Sequence, residues 1–386
     1  MKRALFHYPV FNTGGAEMSS LRMMKALTDR GWEITLVLTT GGGSLEASID
    51  PRIRVVRLRP KAFGNRFVHS RSAMARLLAL PDLLAYGLMR SVGILRMFPF
   101  LFCRYNAAAV LLMGTPSFFI RRIVQARVRI QWIRNDLSGA DPGGSIATAL
   151  QRAAPDLDQF ICVSQVSLSS LVAAVPAAAG KAKVIYNILD SDAMRDKARI
   201  ATAPFSQSQD GIVSILTVCR LNDRAKGLQR MVSVCRRLAD RGFRFVWYVA
   251  GDGIDRGLLE TTIVEAGQEG RMLLLGNLKN PFPAYAAADL VAMLSYYEGL
   301  CGVINEARVL MRPVIATRVS GIDEQLTDGV NGLIVDNDED AIFEGMSRLL
   351  SDPKLCDRLA VGGYPMSLLN DEAKLDELEA LFLAKG

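Results

Sequence analysis

The sequence contains only two histidines, His7 and His69, among 386 residues. So few imidazoles argue against a histidine-based metal centre and against a Ser-His-Asp triad. The six cysteines lack the paired spacing of a zinc site or a disulfide framework, which favours a protein of a reducing compartment. Any catalysis is therefore expected to depend on carboxylates, arginines, lysines and backbone groups.

The sequence also lacks an unbroken apolar run of the length that a membrane-spanning helix needs, about 20 residues. Its most apolar segment, Leu77 to Phe102, is interrupted by Asp82, Arg90 and Arg96. The first strand-like run, Ala4 to Phe11, does not have the longer apolar region and small-residue cleavage site of a signal peptide. We therefore expect no transmembrane span and a cytoplasmic location.

Charge is divided unevenly along the chain. Residues 1–190 carry 24 Lys plus Arg against 11 Asp plus Glu, a balance of +13, whereas the remaining residues carry 22 against 28, a balance of −6. Between Arg52 and Arg134 there are 16 basic residues and one acid, with aromatic and aliphatic residues interleaved. A basic and apolar helix of this kind binds an anionic membrane surface and lies in its plane.

The alternative for this basic segment is an ordinary sheet-covering helix with solvated arginines. We favour the membrane surface for residues 62–105, because so one-sided a charge balance exceeds what solubility requires. No nucleic-acid partner is expected, since no nucleic-acid-binding module is recognisable.

At 386 residues the chain is long enough for two domains, each with its own core. Strand-like apolar runs alternate with helical patterns, which predicts α/β domains with doubly wound parallel sheets. The polar stretch 201–211 is typical of a linker. We therefore predict a first domain over residues 1–200, a second over 211–369, and a last amphipathic helix from about 370 to 386.

The main candidate for a functional site is the stretch from Ser295 to Ala307. The apolar run Leu290 to Leu294 predicts a buried strand, a glycine-containing loop follows, and Val303 to Met311 has helical spacing. In an open parallel sheet, ligands bind outside the carboxyl ends of the strands, and a helix N-terminus favours an anion. Glu298 and Glu306 can both face that crevice. By spacing alone, a surface charge and a functional carboxylate are equally good interpretations of this pair.

The same stretch resembles the donor-site signature of the retaining, nucleotide-sugar-dependent glycosyltransferases of family 4, also called glycosyl transferases group 1. That signature is a Glu, seven residues, a second Glu, a strand like Pro313-Val-Ile-Ala316, and a Gly-x-x-Glu loop, here Gly321-Ile-Asp-Glu324. Other loops resemble the same family: Gly14-Gly15-Ala16-Glu17, Gly251-Asp252-Gly253, and Arg220 to Gly227 with its Arg-Leu and Lys-Gly pairs. The resemblance covers nearly the whole chain. It implies the GT-B fold, two Rossmann-like domains that face each other across a cleft, with the last helix crossing back to the first domain.

Carried over to this sequence, the resemblance assigns roles to individual residues. It implies a catalytic set in which Glu298 contacts the transferred sugar while Arg220 and Lys226 neutralise the diphosphate, and it implies that Glu306 binds the ribose hydroxyls. The further donor-binding positions are loop residues of the second domain: Gly299, Leu300, Cys301, Gly302, Gly251, Gly253 and Arg224. The acceptor or cleft positions lie in the first domain: Gly14, Gly15, Glu17, Arg134 and Asn135.

Two features depart from the family pattern. Family members commonly carry a His near Trp132, and here Arg134 and Asn135 occupy that region; an arginine can give a charge-assisted hydrogen bond of the same sense. The interval from Arg220 to Lys226 is one residue longer than the commonest form, which makes Arg224 a competing ligand.

The implied activity is transfer of a sugar, with retention of anomeric configuration, from a nucleotide-diphosphate sugar to a lipid-linked or cell-envelope glycan at the cytoplasmic face of the membrane. No metal or other cofactor is expected, because preorganised cations and helix dipoles stabilise the leaving diphosphate. Three alternatives stand beside this interpretation: a soluble glycosyltransferase with a small-molecule acceptor, a catalytically silent GT-B scaffold protein, and a nucleic-acid-modifying transferase, whose DNA binding would depend strongly on salt.

Overall fold

The computed structural model describes residues 2–12, 14–59, 80–205 and 211–384. Residues 60–79, which include the first part of the basic segment, and residues 206–210 of the predicted linker lie outside the described residues. The chain divides into two compact units: Met1–Ile188 with Glu372–Gly386, and Leu189–Asp371. Each unit has its own parallel sheet.

The first unit is built on a sheet whose seven described strands lie in the order β3-β2-β1-β4-β5-β6-β7. The central strands are nearly continuous buried apolar runs, the pattern of a parallel sheet covered on both faces. The strands are β1 Arg3–Tyr8, β2 Glu33–Thr40, β3 Arg54–Arg59, β4 Arg104–Val110, β5 Gln125–Ile133, β6 Gln159–Cys162 and β7 Ala182–Val184. The described helices before the crossing to the second unit are α1 Gly15–Asp29, α2 Leu80–Met97, α3 Phe118–Arg122, α4 Leu137–Ala140, α5 Ser145–Ala153 and α6 Gln165–Ala174.

The second unit repeats this plan with six described strands in the order β10-β9-β8-β11-β12-β13. Its strands are β8 Val213–Val218, β9 Phe245–Ala250, β10 Met272–Gly276, β11 Leu290–Met293, β12 Val314–Thr317 and β13 Leu333–Val335. Its described helices are α7 Ser191–Ile200, α8 Asp223–Lys226, α9 Leu228–Asp240, α10 Arg256–Glu265, α11 Phe282–Ala287, α12 Gly302–Val309, α13 Glu339–Ser351, α14 Pro353–Val361 and α15 Met366–Leu369. All the described strand pairs are parallel, so the predicted pair of doubly wound α/β units is confirmed.

The boundary between the units differs from the predicted linker at 201–211. It falls after Ile188, and α7 belongs to the second unit. The reason is burial: Met194 of α7 lies in the apolar core of the second unit, and the Asn280 side chain donates to the Lys197 carbonyl at 2.9 Å. The sequence alone assigns this helix to the preceding domain, because an amphipathic pattern does not show which core its apolar side joins.

The last helix, α16 Asp371–Leu383, packs on the first unit. The Phe382 ring lies 6.0 Å from Phe6 and 5.3 Å from Trp32, centroid to centroid. Arg30 at the end of α1 forms ion pairs with three acids of the helix, Glu372, Asp376 and Glu379. Aromatic packing and this charge network together hold the last helix to the first unit.

One stretch of the first unit, Leu84–Leu101, is long and apolar enough to cross a membrane by length and composition alone. Its mean hydropathy is 1.2, and 11% of it is buried. The sequence predicts no membrane-spanning helix here, because charged residues interrupt the apolar segment. Asp82 lies before this window, and the two arginines within it, Arg90 and Arg96, leave its mean hydropathy positive.

Candidate functional site

The strand order of the second sheet brings two loops together. β8 and β11 are neighbours, and the strand order reverses between them, so their carboxyl ends form the topological switch point at which open parallel sheets bind ligands. The loop after β8 carries Arg220 to Gly227, and the loop after β11 carries Ser295 to Cys301. A backbone hydrogen bond joins them, from Tyr296 N to Ala225 O at 2.8 Å.

Lys226 and Glu298, predicted as catalytic residues, meet across this junction in an ion pair. The Ser295 hydroxyl donates to the same Glu298 Oε1 atom at 2.7 Å. Burial lowers the pKa of Lys226, but the charge and hydrogen bond of Glu298, together with the nearby Cys301 and Cys219, raise that pKa above its ordinary value. Both side chains keep some exposure, 23% for Lys226 and 16% for Glu298, so a ligand can reach the pair.

Three side chains that the sequence does not single out fix the backbone of the Glu298 loop. Arg230 donates to the Leu294 carbonyl, and its guanidinium lies 3.8 Å from the centre of the Tyr296 ring. Thr317 donates to the Ser295 carbonyl at 2.6 Å, and Asn337 donates to the Tyr296 carbonyl at 3.1 Å. These contacts join residues 22 to 64 positions apart, so no local pattern indicates them.

Glu306, the predicted ribose ligand, lies on α12 in the second turn and is partly exposed. The buried Tyr285 hydroxyl of α11 donates to Glu306 Oε2 at 3.1 Å. A phenol that binds one carboxylate oxygen holds the group in one orientation, as a ribose ligand requires. The two residues are 21 positions apart, so this contact depends on the fold.

The glycines of the site are of two kinds. A Cβ at Gly251 would lie 1.8 Å from the Cys219 carbonyl oxygen, and one at Gly253 would lie 2.2 Å from the Leu221 carbonyl oxygen. Gly251 also has φ +144°, which favours glycine. A Cβ at Gly302 would meet no described atom within 4 Å. The fold therefore requires glycine at positions 251 and 253, because these residues pack against the Arg220 loop. This reason differs from the predicted ligand contact. The fold does not require a glycine at position 302.

The remaining donor-side predictions divide by exposure. Arg220 and Arg224 are exposed on the loop after β8, whereas Gly299 is buried and Leu300 half-buried in the loop after β11. Gly299 packs closely on the Gly-x-x-Glu turn, since a Cβ at Gly321 would lie 2.5 Å from the Gly299 carbonyl oxygen.

Cys301 needs a correction among the predicted ligands. Its backbone N–H donates to Gln325 Oε1 at 2.9 Å, so this amide is already engaged within the protein. Burial raises the pKa of its thiol to about 12, which makes a thiolate at neutral pH unfavourable. The residue supports the loop from within.

In the first unit, the Gly14–Glu17 loop follows β1 and opens α1. Gly14 is the N-cap residue, and Glu17 is the acid of the first helical turn, where it interacts favourably with the helix dipole. Gly15 is exposed, and a Cβ added there would meet no described atom within 4 Å. Packing does not demand a glycine at position 15, which is compatible with the predicted ligand-facing role for this loop.

Arg134, a predicted acceptor-side residue, is engaged within the first unit. It is buried, and its guanidinium donates to the Leu111 carbonyl at 2.7 Å and to the hydroxyls of Ser19 and Ser20 at 2.7 and 2.8 Å. Burial among these neutral oxygens lowers its pKa to about 10. Arg134 therefore supports the first turns of α1 from below, and its contact with an acceptor stays a prediction. Its neighbour Asn135 is exposed.

Among the described residues, no group of three or more His, Cys, Asp or Glu side chains has an arrangement that could hold a metal ion. The charged groups collected at the second sheet are instead two carboxylates and a lysine, with two arginines on the adjoining loop. Such a set suits an anionic ligand with sugar hydroxyls.

Comparison with known proteins gives the second unit a family. Residues 213–352 match the family of glycosyl transferases group 1. The alpha-D-kanosaminyltransferase of Streptomyces kanamyceticus is 31% identical over 144 residues, covering 36% of this chain and 37% of that protein. The N-acetylgalactosamine-N,N'-diacetylbacillosaminyl-diphospho-undecaprenol 4-alpha-N-acetylgalactosaminyltransferase of Campylobacter jejuni is 29% identical over 203 residues, covering 52% of this chain and 53% of that protein. The chain thus spans about a third to a half of the length of these relatives.

A solved structure decides the architecture of the whole chain. Anabaena HepE, in complex with UDP-glucose, superposes with a TM-score of 0.72 at 18% sequence identity and covers 98% of this chain and 100% of its own. The fold is GT-B. Within this GT-B chain, the family match at 213–352 contains all the second-sheet site residues described above and none of the first unit. Fold and family match together support a glycosyltransferase.

Proposed function

We propose that the protein is a retaining glycosyltransferase of family 4. It transfers a sugar from a nucleotide-diphosphate sugar to a lipid-linked or cell-envelope glycan at the cytoplasmic face of the membrane. The observation that supports this most is the Lys226–Glu298 ion pair at the switch point of the second sheet, with Glu306 on the helix that follows the same loop. A cation for the diphosphate and carboxylates for sugar hydroxyls stand where such sheets bind nucleotides.

In the reaction we propose, the bond between the anomeric carbon and the diphosphate oxygen breaks, and its electron pair stays on that oxygen. Lys226 exchanges Glu298 for the diphosphate and, with Arg220, stabilises the charge that develops there. Glu298 then contacts the sugar. The acceptor hydroxyl attacks the same face and gives its proton to the leaving phosphate, so the configuration is retained.

A thermal-shift titration tests the donor site. UDP, GDP, ADP and dTDP are each added to the wild type, to Glu306→Ala, and to Glu344→Ala as an exposed control on α13. A nucleotide at 100 times its dissociation constant adds about 2.7 kcal/mol of stability. We expect one nucleotide to stabilise the wild type and the control, and to stabilise Glu306→Ala much less. If no nucleotide stabilises the wild type, the scaffold alternative replaces the enzyme.

The acceptor part of the proposal rests on α2 and the turn after it. Large apolar side chains recur there at helical spacing and are exposed by 60% or more: Leu84, Leu88, Leu95, Phe98 and Phe102. These residues form one apolar face, which we call the α2 face, and Arg90 and Arg96 flank it. A face this apolar, in a half of the chain with a charge of +13, suits an anionic lipid surface. The Campylobacter relative, whose name specifies a diphospho-undecaprenol acceptor, is consistent with a lipid-linked acceptor here.

The attachment of α2 to the sheet favours a helix that lies on the membrane over one that spans it. Arg96 donates to the Arg57 carbonyl of β3 at 2.8 Å, and the Arg59 guanidinium lies 5.6 Å from the centre of the Tyr86 ring. A Cβ at Gly93 would lie 3.5 Å from the Leu58 carbonyl oxygen, so helix and strand approach closely. Insertion across a bilayer would break these contacts.

Vesicle sedimentation tests this part. The double variant Leu88→Ser, Leu95→Ser is compared with Ile254→Ser, Val361→Ser, which removes exposed apolar residues from the second unit. We expect the wild type and the control to bind anionic phospholipid vesicles, and the α2 variant to bind at least several-fold more weakly, with weaker binding by all three in high salt. Absence of wild-type binding would favour the soluble transferase with a small-molecule acceptor.

A further inference from the structure

A buried side-chain amide lies behind the Glu298 loop. Gln325 is 1% exposed, and it follows the turn Ile322–Glu324 that packs on Gly299. Its Oε1 accepts the Cys301 N–H at 2.9 Å, and its Nε2 donates to the Cys301 carbonyl at 2.9 Å. The side chain thus binds both backbone groups of one residue, as a neighbouring strand would.

Cys301 is the residue at which the loop becomes a helix. It is the N-cap of α12, and its side chain does not supply the usual cap hydrogen bond. Its own carbonyl accepts from Asn305 N only at 3.4 Å, so Gln325 provides the stronger partner for that group. With Cys301 fixed, the amides of the first turn, which begin at Gly302, hold a constant direction.

Two more polar side chains, Asn305 and Tyr364, complete the buried network around Gln325, whose Nε2 also donates to the Tyr364 hydroxyl at 3.3 Å. Gln325 Nε2 donates to Asn305 Oδ1 at 2.6 Å, and the Tyr364 hydroxyl donates to the same Asn305 oxygen. Burial raises the pKa of the Tyr364 phenol, which keeps it a neutral donor. Tyr364 therefore touches the network without touching the loop backbone.

We propose that Gln325 is a positioning residue for nucleotide binding: by fixing the peptide groups of Cys301 it aims the first-turn amides of α12 at the terminal phosphate of the donor nucleotide. This inference rests on the proposed function, since it needs a nucleotide in the second unit. A helix N-terminus binds phosphate best when its amides are held in one direction. Glu306, further along the helix, accepts a hydrogen bond from Tyr285.

The test uses UDP and UMP, which differ by the phosphate in question. Gln325→Met removes both hydrogen bonds to Cys301 at similar volume, and Tyr364→Phe removes one hydroxyl from the same buried network without changing the loop. Affinities are measured by calorimetry well below the melting temperature of each variant. We expect Gln325→Met to lose about tenfold in UDP affinity, equivalent to about 1.4 kcal/mol, with UMP affinity within about twofold of the wild type. Tyr364→Phe should lower the melting temperature and leave the UDP-to-UMP ratio unchanged.

Each outcome separates the two proposals. If the wild type binds none of UDP, GDP, ADP and dTDP, the proposed function fails; if it binds another of these instead of UDP, that diphosphate and its monophosphate take the place of UDP and UMP. If it binds both and Gln325→Met keeps the wild-type ratio, or if Tyr364→Phe changes the ratio equally, Gln325 is merely structural and the inference is overturned. Should Gln325→Met not fold, hydrogen exchange resolved to single amides in the wild type decides: Cys301 should be protected with and without UDP, and Gly302 should gain protection only with UDP. Rapid exchange at Cys301 in the free protein would contradict the inference.

Discussion

The two sheets share one strand order over six strands, yet the polar groups near their switch points are organised in opposite ways. In the second unit, Lys226 pairs with Glu298, and both remain partly exposed. In the first unit, Arg134 is buried among neutral oxygens, and His7 of β1 is buried beside Thr39. Charge in the second unit is thus available to a ligand, whereas the charge of Arg134 lies beneath helix α1, and the first unit exposes the apolar α2 face instead.

This contrast fits two different ligands. A nucleotide diphosphate presents fixed charges and hydroxyls, which the ion pair of the second unit suits. Side chains that are distant in the sequence hold the loops that carry this pair. In the proposed function a lipid-linked acceptor presents a membrane surface, and the exposed α2 face in the basic part of the chain suits such a surface. The same topology therefore carries two chemistries because the loops and helices, not the strands, differ.

The largest effect should come from the ion pair. Lys226→Met and Glu298→Gln are each expected to lower turnover about 10²–10³-fold, because each removes a charge that acts on the reacting sugar diphosphate. Release of nucleoside diphosphate from the donor measures this. Glu260→Gln, which breaks the exposed pair with Arg256 on α10, is the matched control and should keep wild-type turnover. Full activity in either ion-pair variant would mean that the exposed charges of the second unit do not act on a ligand, and the contrast with the buried charge of the first unit would have no functional meaning.

The two kinds of glycine in the second unit provide the next test. Gly251→Ala is expected to destabilise the fold by about 3 kcal/mol, because its Cβ would collide with a carbonyl at a positive φ. Gly302→Ala should change the free energy of unfolding by less than about 0.5 kcal/mol, since its Cβ meets no described atom. Denaturant unfolding measures both variants.

Gly302→Ala should nevertheless weaken nucleotide binding if the ligand approaches that backbone. Calorimetry with UDP on the folded variant measures this loss. A stable Gly302→Ala that binds UDP as well as the wild type does would show that the first turn of α12 does not contact the ligand.

The sequence is sufficient for the strands and for most of the loops at their ends. The buried apolar run Leu290 to Leu294 predicts β11 to within one residue, and the helical spacing of Val303 to Met311 predicts α12 to within two residues at either end. Local pattern is enough because strand burial and helix periodicity are local properties.

Supporting residues cannot be predicted in the same way. Gln325 and Arg230 are ordinary polar residues in the sequence, and only the fold brings them to the backbone of a loop 24 to 64 residues away. The sequence does not reveal that Arg134 is buried, because its hydrogen bonds to Ser19 and Ser20 join it to a helix that is distant in the chain. A single Gly-x-Gly pattern likewise does not show whether its glycines contact a ligand or the backbone of another loop.

A pH-dependent effect is expected from the buried His7 of the first sheet. Burial lowers the pKa of His7 to about 4 from 6.5. Between these values the unfolded chain binds a proton that the folded chain does not, so stability should fall as pH falls from about 6.5 to about 4, by up to about 3 kcal/mol. Denaturant midpoints across this range measure the slope against His7→Phe, which removes the titrating group and keeps a buried ring beside Phe119. The difference in slope between the two proteins belongs to His7, because every other titrating group is common to both. Equal slopes would mean that His7 binds its proton as readily in the folded protein as in the unfolded chain. His7 would then be a buried charge in the first sheet, unlike the paired and partly exposed charges of Lys226 and Glu298 in the second unit.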